Sequence, residues 1–437
     1  MQREHLVMFC YCDIAAQVRG KGFPVSQLAK RLRTGIGWTP TNIMLTAFGP
    51  IAESPWGPFG DLLLMPDPAT QVDVDFGEDH PREHFFLADV LQTNGKPWDC
   101  CPRTFLKGAL AALEQQAGLR LLSAFEQEFY YDGADERLGS AYSLDAIRRH
   151  SIFGEVFVTA LHKAGIEPES YLPEYGPRQY EVTYAPAVGV TSADRAVIVR
   201  ELARAAARVL GHRISFSPAV TPDVVGNGVH VHMSLVDLSG LPVMYDADAP
   251  YGLSETGGRF VAGILHHAAA LCAVTAPSVI SYLRLVPHRW SAAWTNAGFR
   301  DREACVRICP VVEAPGVPVA PQFNIEFRAA DATASPYLAL GALVYAGLDG
   351  ILQKMPAPHV TTADPQLVDE QERARQRIHR LPQSLDEALD AFAADRATQT
   401  WFPPALSAAY LAHKRCELSL MADVERDERC RRYREAY

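Results

Sequence analysis

The sequence predicts a mixed α+β chain built in two parts, residues 1–100 and residues 101–437. Three observations point to it. The first hundred residues hold strand-like runs and turn residues without a sustained helical period. A helix of clear period opens just after them, and beyond it strands alternate with long helices. At 437 residues and 48% hydrophobic, the chain can bury the cores of two or three domains, and 21% charged residues mark a folded chain rather than a disordered one.

Taken in order, residues 5–12 are the first strand candidate and residues 61–67 another, with Gly and Pro punctuating a loop over 49–60 between them. The pattern changes near 98–102. Over 103–118 a helical period puts Phe105, Leu106, Ala109, Leu110 and Leu113 on one face, with Gly118 as the stop. Residues 119–131 read as a strand, 144–164 as a helix and 193–210 as a long helix rich in Ala and Arg. Segments 251–276 and 337–355 read as largely apolar helices. The last sixty residues read as helical, opening with Ser384 as a cap and ending in a charged helix over 422–437.

A net charge of −10 with acids and bases interleaved argues against a nucleic-acid binder, which needs a basic stripe. No apolar run reaches the roughly 18 residues of a membrane span. The start, Met1 to His5 and then a short apolar stretch ending at Asp13, lacks the pattern of a secretory signal. Nine cysteines at spacings that suit neither a disulfide framework nor paired CxxC zinc units are expected to be free thiols in a reducing cytoplasm. Cys305 and Cys309 are expected in the core.

Three of four strand-like segments carry ionisable residues two apart, where side chains at i and i+2 of a strand share a face, and the fourth, 174–181, carries two more carboxylates. They are Glu126 and Glu128 in 124–130, Glu174 and Glu181 in 174–181, His230 and His232 in 226–234, and Glu326 and Arg328 in 323–328. Alone, the first also fits a solvated edge strand. Together they collect carboxylates and imidazoles without thiolate, the donor set of hard cations such as Mg²⁺ or Mn²⁺. Clustered carboxylates repel unless a cation sits between them. Arg284, Arg302, Arg307 and Arg328 follow in the same third of the chain and suit phosphate and carboxylate groups. Carboxylates, metal and arginines together suggest phosphoryl transfer.

In this order and spacing the segments resemble the metal and glutamate motifs of the glutamine synthetase family, and the resemblance runs nearly the whole length. Arg284-Leu285-Val286-Pro287, then Arg302-Glu303-Ala304-Cys305-Val306-Arg307-Ile308, then Glu326-Phe327-Arg328 with Ser335-Pro336-Tyr337-Leu338-Ala339, extend it. The resemblance implies a small N-terminal β-grasp-like domain and a larger catalytic domain with an antiparallel sheet and helices. It implies ATP and two Mg²⁺ or Mn²⁺ ions, with Glu128, Glu174 and Glu181 holding the ion nearer glutamate and Glu126, His230 and Glu326 holding the ion between the ATP phosphates. Glu169, His232 and Ser234 match nucleotide contacts, Arg302 and Arg307 the arginines facing the transferring phosphoryl group, and Arg284, Arg328 and Gly226 the glutamate contacts. ATP would phosphorylate the γ-carboxylate of glutamate, and an amine would then displace phosphate. Family members stack two hexameric rings, so the resemblance also implies a homododecamer in which the loop carrying Asp61 completes a neighbour's site.

The departures begin with the amine. Members that use ammonia carry a flap glutamate where this chain has Trp290, and an N-terminal aspartate that falls, counting back from Asp61, at Ala47. Val225 replaces an asparagine that often touches glutamate, Asn324 an arginine of the nucleotide site, and Arg178 the glycine of a Gly-Gln pair. His379 replaces the tyrosine that some members adenylylate, so that control is not expected. The expected activity is a ligase forming a γ-glutamyl amide from glutamate and an organic amine. The alternatives are a glutamine-forming enzyme and an inactive structural or regulatory relative. Retention of all six presumed metal ligands speaks against the last, since clustered charges are costly to keep.

Overall fold

The structure, a computed structural model, describes residues 4–437; Met1, Gln2 and Arg3, at the start discussed above, lie outside the described residues. The first six strands are β1 (Leu6–Cys12), β2 (Val18–Pro24), β3 (Ile36–Trp38), β4 (Leu62–Pro66), β5 (Val72–Val74) and β6 (Glu83–Gln92). They form a mixed, grasp-like sheet in the order β2-β1-β6-β4-β3, with β5 on β6 and with β1 and β6 parallel. Val7, Phe9, Leu64 and Val90 are fully buried, as period-2 strands covering one core require.

The helix Pro102–Ala117 follows, ended by Gly118 in the left-handed region at φ 67°. Its buried Arg103 ties the two parts together: the guanidinium bonds Asp67 and Asp89 of the first part and Asp194 of the helix Thr191–Val209.

The larger sheet is built from β7 (Leu119–Tyr131), β8 (Pro168–Pro173), β9 (Gln179–Tyr184), β10 (Ala187–Val188), β11 (Ile214–Ser215), β12 (Val229–Asp237), β13 (Ala297–Phe299), β14 (Val306–Ile308), β15 (Ile325–Phe327) and β16 (Val360–Thr361). Its order is β16-β13-β14-β15-β12-β7-β9-β8, with β10 and β11 also on β7. Most pairings are antiparallel as expected, but β13 runs parallel to both β14 and β16. Along β7 alternate residues are buried and the residues between them are partly open, so one face packs on helices and the other is free for chemistry.

Three expected elements differ. The segment 144–164 is two helices, Leu144–Arg149 and Ser151–Lys163, broken at His150, whose Nε2 pairs with Asp135 Oδ1 at 3.0 Å. Segment 251–276 is also two, Glu255–His266 and Ala268–Thr275, bent by 74° at His267. The His267 ring bonds Asp395 through Nδ1 at 2.7 Å and Asp349 through Nε2 at 3.1 Å, and this tertiary pull replaces the Gly or Pro usual at a helix break. The charged C-terminal helix begins at Arg426, after a turn that separates it from Pro404–Met421. No single helix among the described residues is long and apolar enough to cross a membrane.

Candidate active site

Register across the larger sheet lines up the ionisable residues on one face. Glu181 of β9 pairs with Glu128 of β7, and Glu126 of β7 with His230 of β12. His232 of β12 pairs with Glu326 of β15, which pairs in turn with Arg307 of β14. Directly opposed residues of antiparallel strands share a face, so the row is continuous over five strands. Glu174 differs from expectation: it lies in the turn between β8 and β9 rather than on a strand, because Gly176-Pro177 ends the run there. Its Oε2 accepts a bond from the Tyr142 hydroxyl at 2.8 Å.

The donors form two overlapping groups able to hold a cation, Glu126 with Glu128 and His230, and Glu126 with His232 and Glu326. His230 Nδ1 lies 2.6 Å from Glu126, 3.7 Å from Glu128 and 3.5 Å from Glu326. Burial alone would raise the Glu126 carboxyl, but bonds to His230 and His232 hold it well below the usual carboxylate range. At the other end of the row burial, followed by the charges of Glu126 and Glu128, pushes Glu181 up, and burial with Glu128 pushes Glu174 up. Negative charge thus exceeds its local compensation beside Glu128, Glu174 and Glu181, although neither of the two donor groups includes Glu174 or Glu181.

A cavity of about 680 Å³ opens over this row, lined by Glu126, Glu128, Glu174, Glu181, His230, Gly226, Arg284, Trp290, Arg302, Arg307 and Arg328. Arg284, Arg307 and Arg328 are buried, and each leaves a buried donor without a protein partner: Nη1 of Arg284, Nε of Arg307 and Nε of Arg328. Buried guanidinium donors without partners are rare and suit an anionic ligand. Arg307 Nη1 reaches Glu326 at 2.8 Å, and Arg328 also bonds that carboxylate. Burial would raise the Glu326 carboxyl, but Arg328 and the two histidines hold it down. Arg302 is exposed at the rim.

An adjoining cavity of about 410 Å³ holds Glu169, His232 and Ser234 and shares Glu126, Thr183, His232 and Asn324 with the first. Asn324 Oδ1 lies 2.9 Å from His232 Nδ1, and the Ser234 hydroxyl donates to the Phe323 carbonyl. Leu122, Phe125 and Phe323 supply apolar wall, so an aromatic base and a phosphate chain can sit side by side over the carboxylate row.

Trp290 lines the larger cavity with 53% of its surface exposed, and the exposed rings of Tyr142 and Tyr175 line it too. Val225 also lines this cavity. Ala47 packs against the hydrophobic core, and Asp61 is exposed ahead of β4; neither lines either cavity in its own chain.

Three further residues join the site. Gln179 Nε2 donates to Glu128 Oε2 at 2.9 Å and to the Gly226 carbonyl at 3.0 Å, fixing a carboxylate and a glycine loop together. Its place between Glu174 and Glu181 was the available signal. Tyr142, the partner of Glu174, lies 32 residues away from it and gives none. Cys309 lines the cavity 3.8 Å from both His232 and Glu326, whereas Cys305 is in the core as expected. All nine cysteines are free.

Comparison with known proteins gives the same pattern over both parts. The model of the glutamine synthetase N-terminal domain matches residues 1–98, and that of the glutamine synthetase catalytic domain residues 99–433. The gamma-glutamylpolyamine synthetase GlnA3 of Streptomyces coelicolor is 32% identical, covering 100% of this chain and 94% of that one. A glutamine synthetase of Methanocaldococcus jannaschii is 30% identical, covering 94% of this chain and 91% of that one. Among solved structures, a novel glutamine synthase homolog superposes with a TM-score of 0.92 at 44% identity, covering 100% and 99% of the two chains. An ADP complex of GmaS gives 0.82 at 27% identity, covering 97% and 95%. With both domains matched end to end and a carboxylate–histidine row beneath two joined cavities, the chain belongs to the glutamine synthetase family of ATP- and metal-dependent ligases.

Proposed function

We propose that the chain is a glutamate–amine ligase that forms a γ-glutamyl amide from glutamate and an organic amine, through γ-glutamyl phosphate. The observation that carries this is Trp290, an indole on the wall of the larger cavity. Ammonium has to be stripped of water and deprotonated before it can attack, and burying it without an acid costs several kcal/mol. An organic amine brings apolar surface instead, worth about 0.8 kcal/mol per buried methylene, and three exposed rings line its path. The relative named for polyamines supports this reading, while the relatives named glutamine synthetase support the ammonia-using alternative.

In this proposal Arg284, Arg328 and Gly226 hold glutamate, and Glu169, His232 and Ser234 hold the nucleotide. Arg302 and Arg307 stabilise the phosphoryl group in transfer. Glu128, Glu174 and Glu181 form one Mg²⁺ or Mn²⁺ site, and Glu126, His230 and Glu326 the other. Such ions, when bound, neutralise phosphate charge and make the carboxylate row tolerable. Asp61, which lines neither cavity of its own chain, serves as base for an alkylamine only when a second copy delivers it. The proposal therefore includes a homododecamer, with a 1–100 domain of one copy completing the 101–437 site of the next, in the cytoplasm.

The test is phosphate release with glutamate, ATP and a panel of alkyl, poly- and arylamines beside ammonia, for the native chain and for Trp290→Glu. Organic amines should outperform ammonia on the native chain, and Trp290→Glu should narrow the gap. Ammonia as the best amine on the native chain would defeat the proposal.

A further inference from the structure

We infer that Glu303 is a positioning residue that sets the amine-side wall by holding the loop at 288–290 in a backbone shape it would not otherwise keep; this rests on the role proposed for Trp290. One carboxylate takes two main-chain donors. Glu303 Oε2 accepts from the His288 N–H and Oε1 from the Trp290 N–H, both at 3.1 Å. His288 and Trp290 have φ of 61° and 55°, the left-handed region that glycine favours and that bulky residues rarely adopt, and Arg289 between them does not. Alternation of this kind turns nearby N–H groups to one side and makes a concavity for an anion. Here the anion is the protein's own side chain.

Without that carboxylate both N–H bonds are lost from a strained shape, since neither residue is glycine and neither side chain is buried; the loop would keep the Arg289 Nη1 bond to the Val224 carbonyl at 3.1 Å and the His288 ring 3.7 Å from Asp364. The next peptide unit is gripped as well: the Trp290 carbonyl accepts from Arg328 Nη2 at 3.2 Å. Glu303 is itself fixed, since its N–H donates to Asp301 Oδ1 at 2.9 Å. It lines neither cavity, so it acts on the amine only through the loop it holds. The two peptide units that flank the Trp290 Cα are thus held, one by Glu303 and the other by a glutamate-side arginine, and the ring between them faces the incoming amine.

The experiment compares the native chain with Glu303→Gln, Glu303→Ala, Trp290→Ala and the Glu303→Ala/Trp290→Ala pair. It follows hydrogen exchange of the 286–292 peptide, and KM for n-butylamine, ammonium chloride and glutamate in phosphate release. Glu303→Ala should speed exchange of that peptide and raise the n-butylamine KM, each about tenfold, as expected for two lost hydrogen bonds. Glu303→Gln should fall between, because it keeps one acceptor. The glutamate KM should change less than about twofold, and in the Trp290→Ala background the n-butylamine effect should vanish. Unchanged exchange overturns the inference, as does a parallel rise of glutamate and amine KM, or the same n-butylamine change without Trp290. If ammonium proves the better substrate of the native chain, the proposed function fails separately, and the clamp stands or falls on exchange alone.

Discussion

Replacing Arg328 with lysine keeps the charge and removes the geometry, which makes it a sharp test of the acid half of the site. The buried guanidinium bonds the Glu326 carboxylate through Nη1, donates to the Trp290 carbonyl through Nη2 at 3.2 Å, and has its buried Nε free of protein partners. Its planar fork thus serves a carboxylate, a loop carbonyl and an incoming anion together. A lysine ammonium is a single point on a flexible stem and can replace one of these contacts well. Charge-assisted bonds are worth about 1.5–3 kcal/mol each, and overlap between the lost contacts brings the net loss to about 3 kcal/mol. At 1.4 kcal/mol per tenfold, kcat/KM for glutamate should fall by about 100-fold. The assay is initial phosphate release against glutamate concentration at saturating ATP and amine, with a thermal melt of the same preparation to verify folding. Arg307 still pairs with Glu326, so the fold should survive. A kcat/KM within about threefold of native would refute the reasoning, as would a loss confined to the KM for ATP.

Two other perturbations separate chemistry from stability. Glu128→Ala removes the acceptor of the Gly228 N–H (2.8 Å) and of Gln179 (2.9 Å) together with a proposed metal donor, and should abolish turnover while circular dichroism stays native; full activity would remove the basis of the metal assignment. His267 is buried, which disfavours its charged form, but bonds to Asp395 and Asp349 outweigh burial and raise its pKa in the folded chain. The sign follows from linkage: the stabilisation is complete below the unfolded pKa of roughly 6.5 and is lost as pH rises through the higher folded value. His267→Gln should therefore cost more thermal stability at pH 6 than at pH 9, and an equal loss at both would show that the ring acts by shape alone.

The parts of this molecule legible in the sequence are those whose cause is local. The run 119–131, read as a strand, is β7 from end to end, and Gly118 identifies the end of the helix before it. The breaks at His150 and His267 were hidden because their partners, Asp135, Asp349 and Asp395, are distant in the sequence and neither residue is a usual helix breaker. The placement of Glu174 on a strand overlooked a Gly176-Pro177 turn that was in plain view. The same division runs through the site. Its carboxylate–histidine row rests on strands, where spacing of two gathers Glu126 with Glu128 and His230 with His232 before any register is known. The wall proposed to meet the amine rests on loops. Tyr142 and Trp290 both stand at positive φ, one tied by its hydroxyl to Glu174 and the other by its N–H to Glu303, and no local pattern announces either bond. Strands carry the charged row of this chain, while a loop held by a distant carboxylate carries the proposed amine-side wall, so the residue on which the proposed amine preference rests is also the one whose setting the sequence conceals.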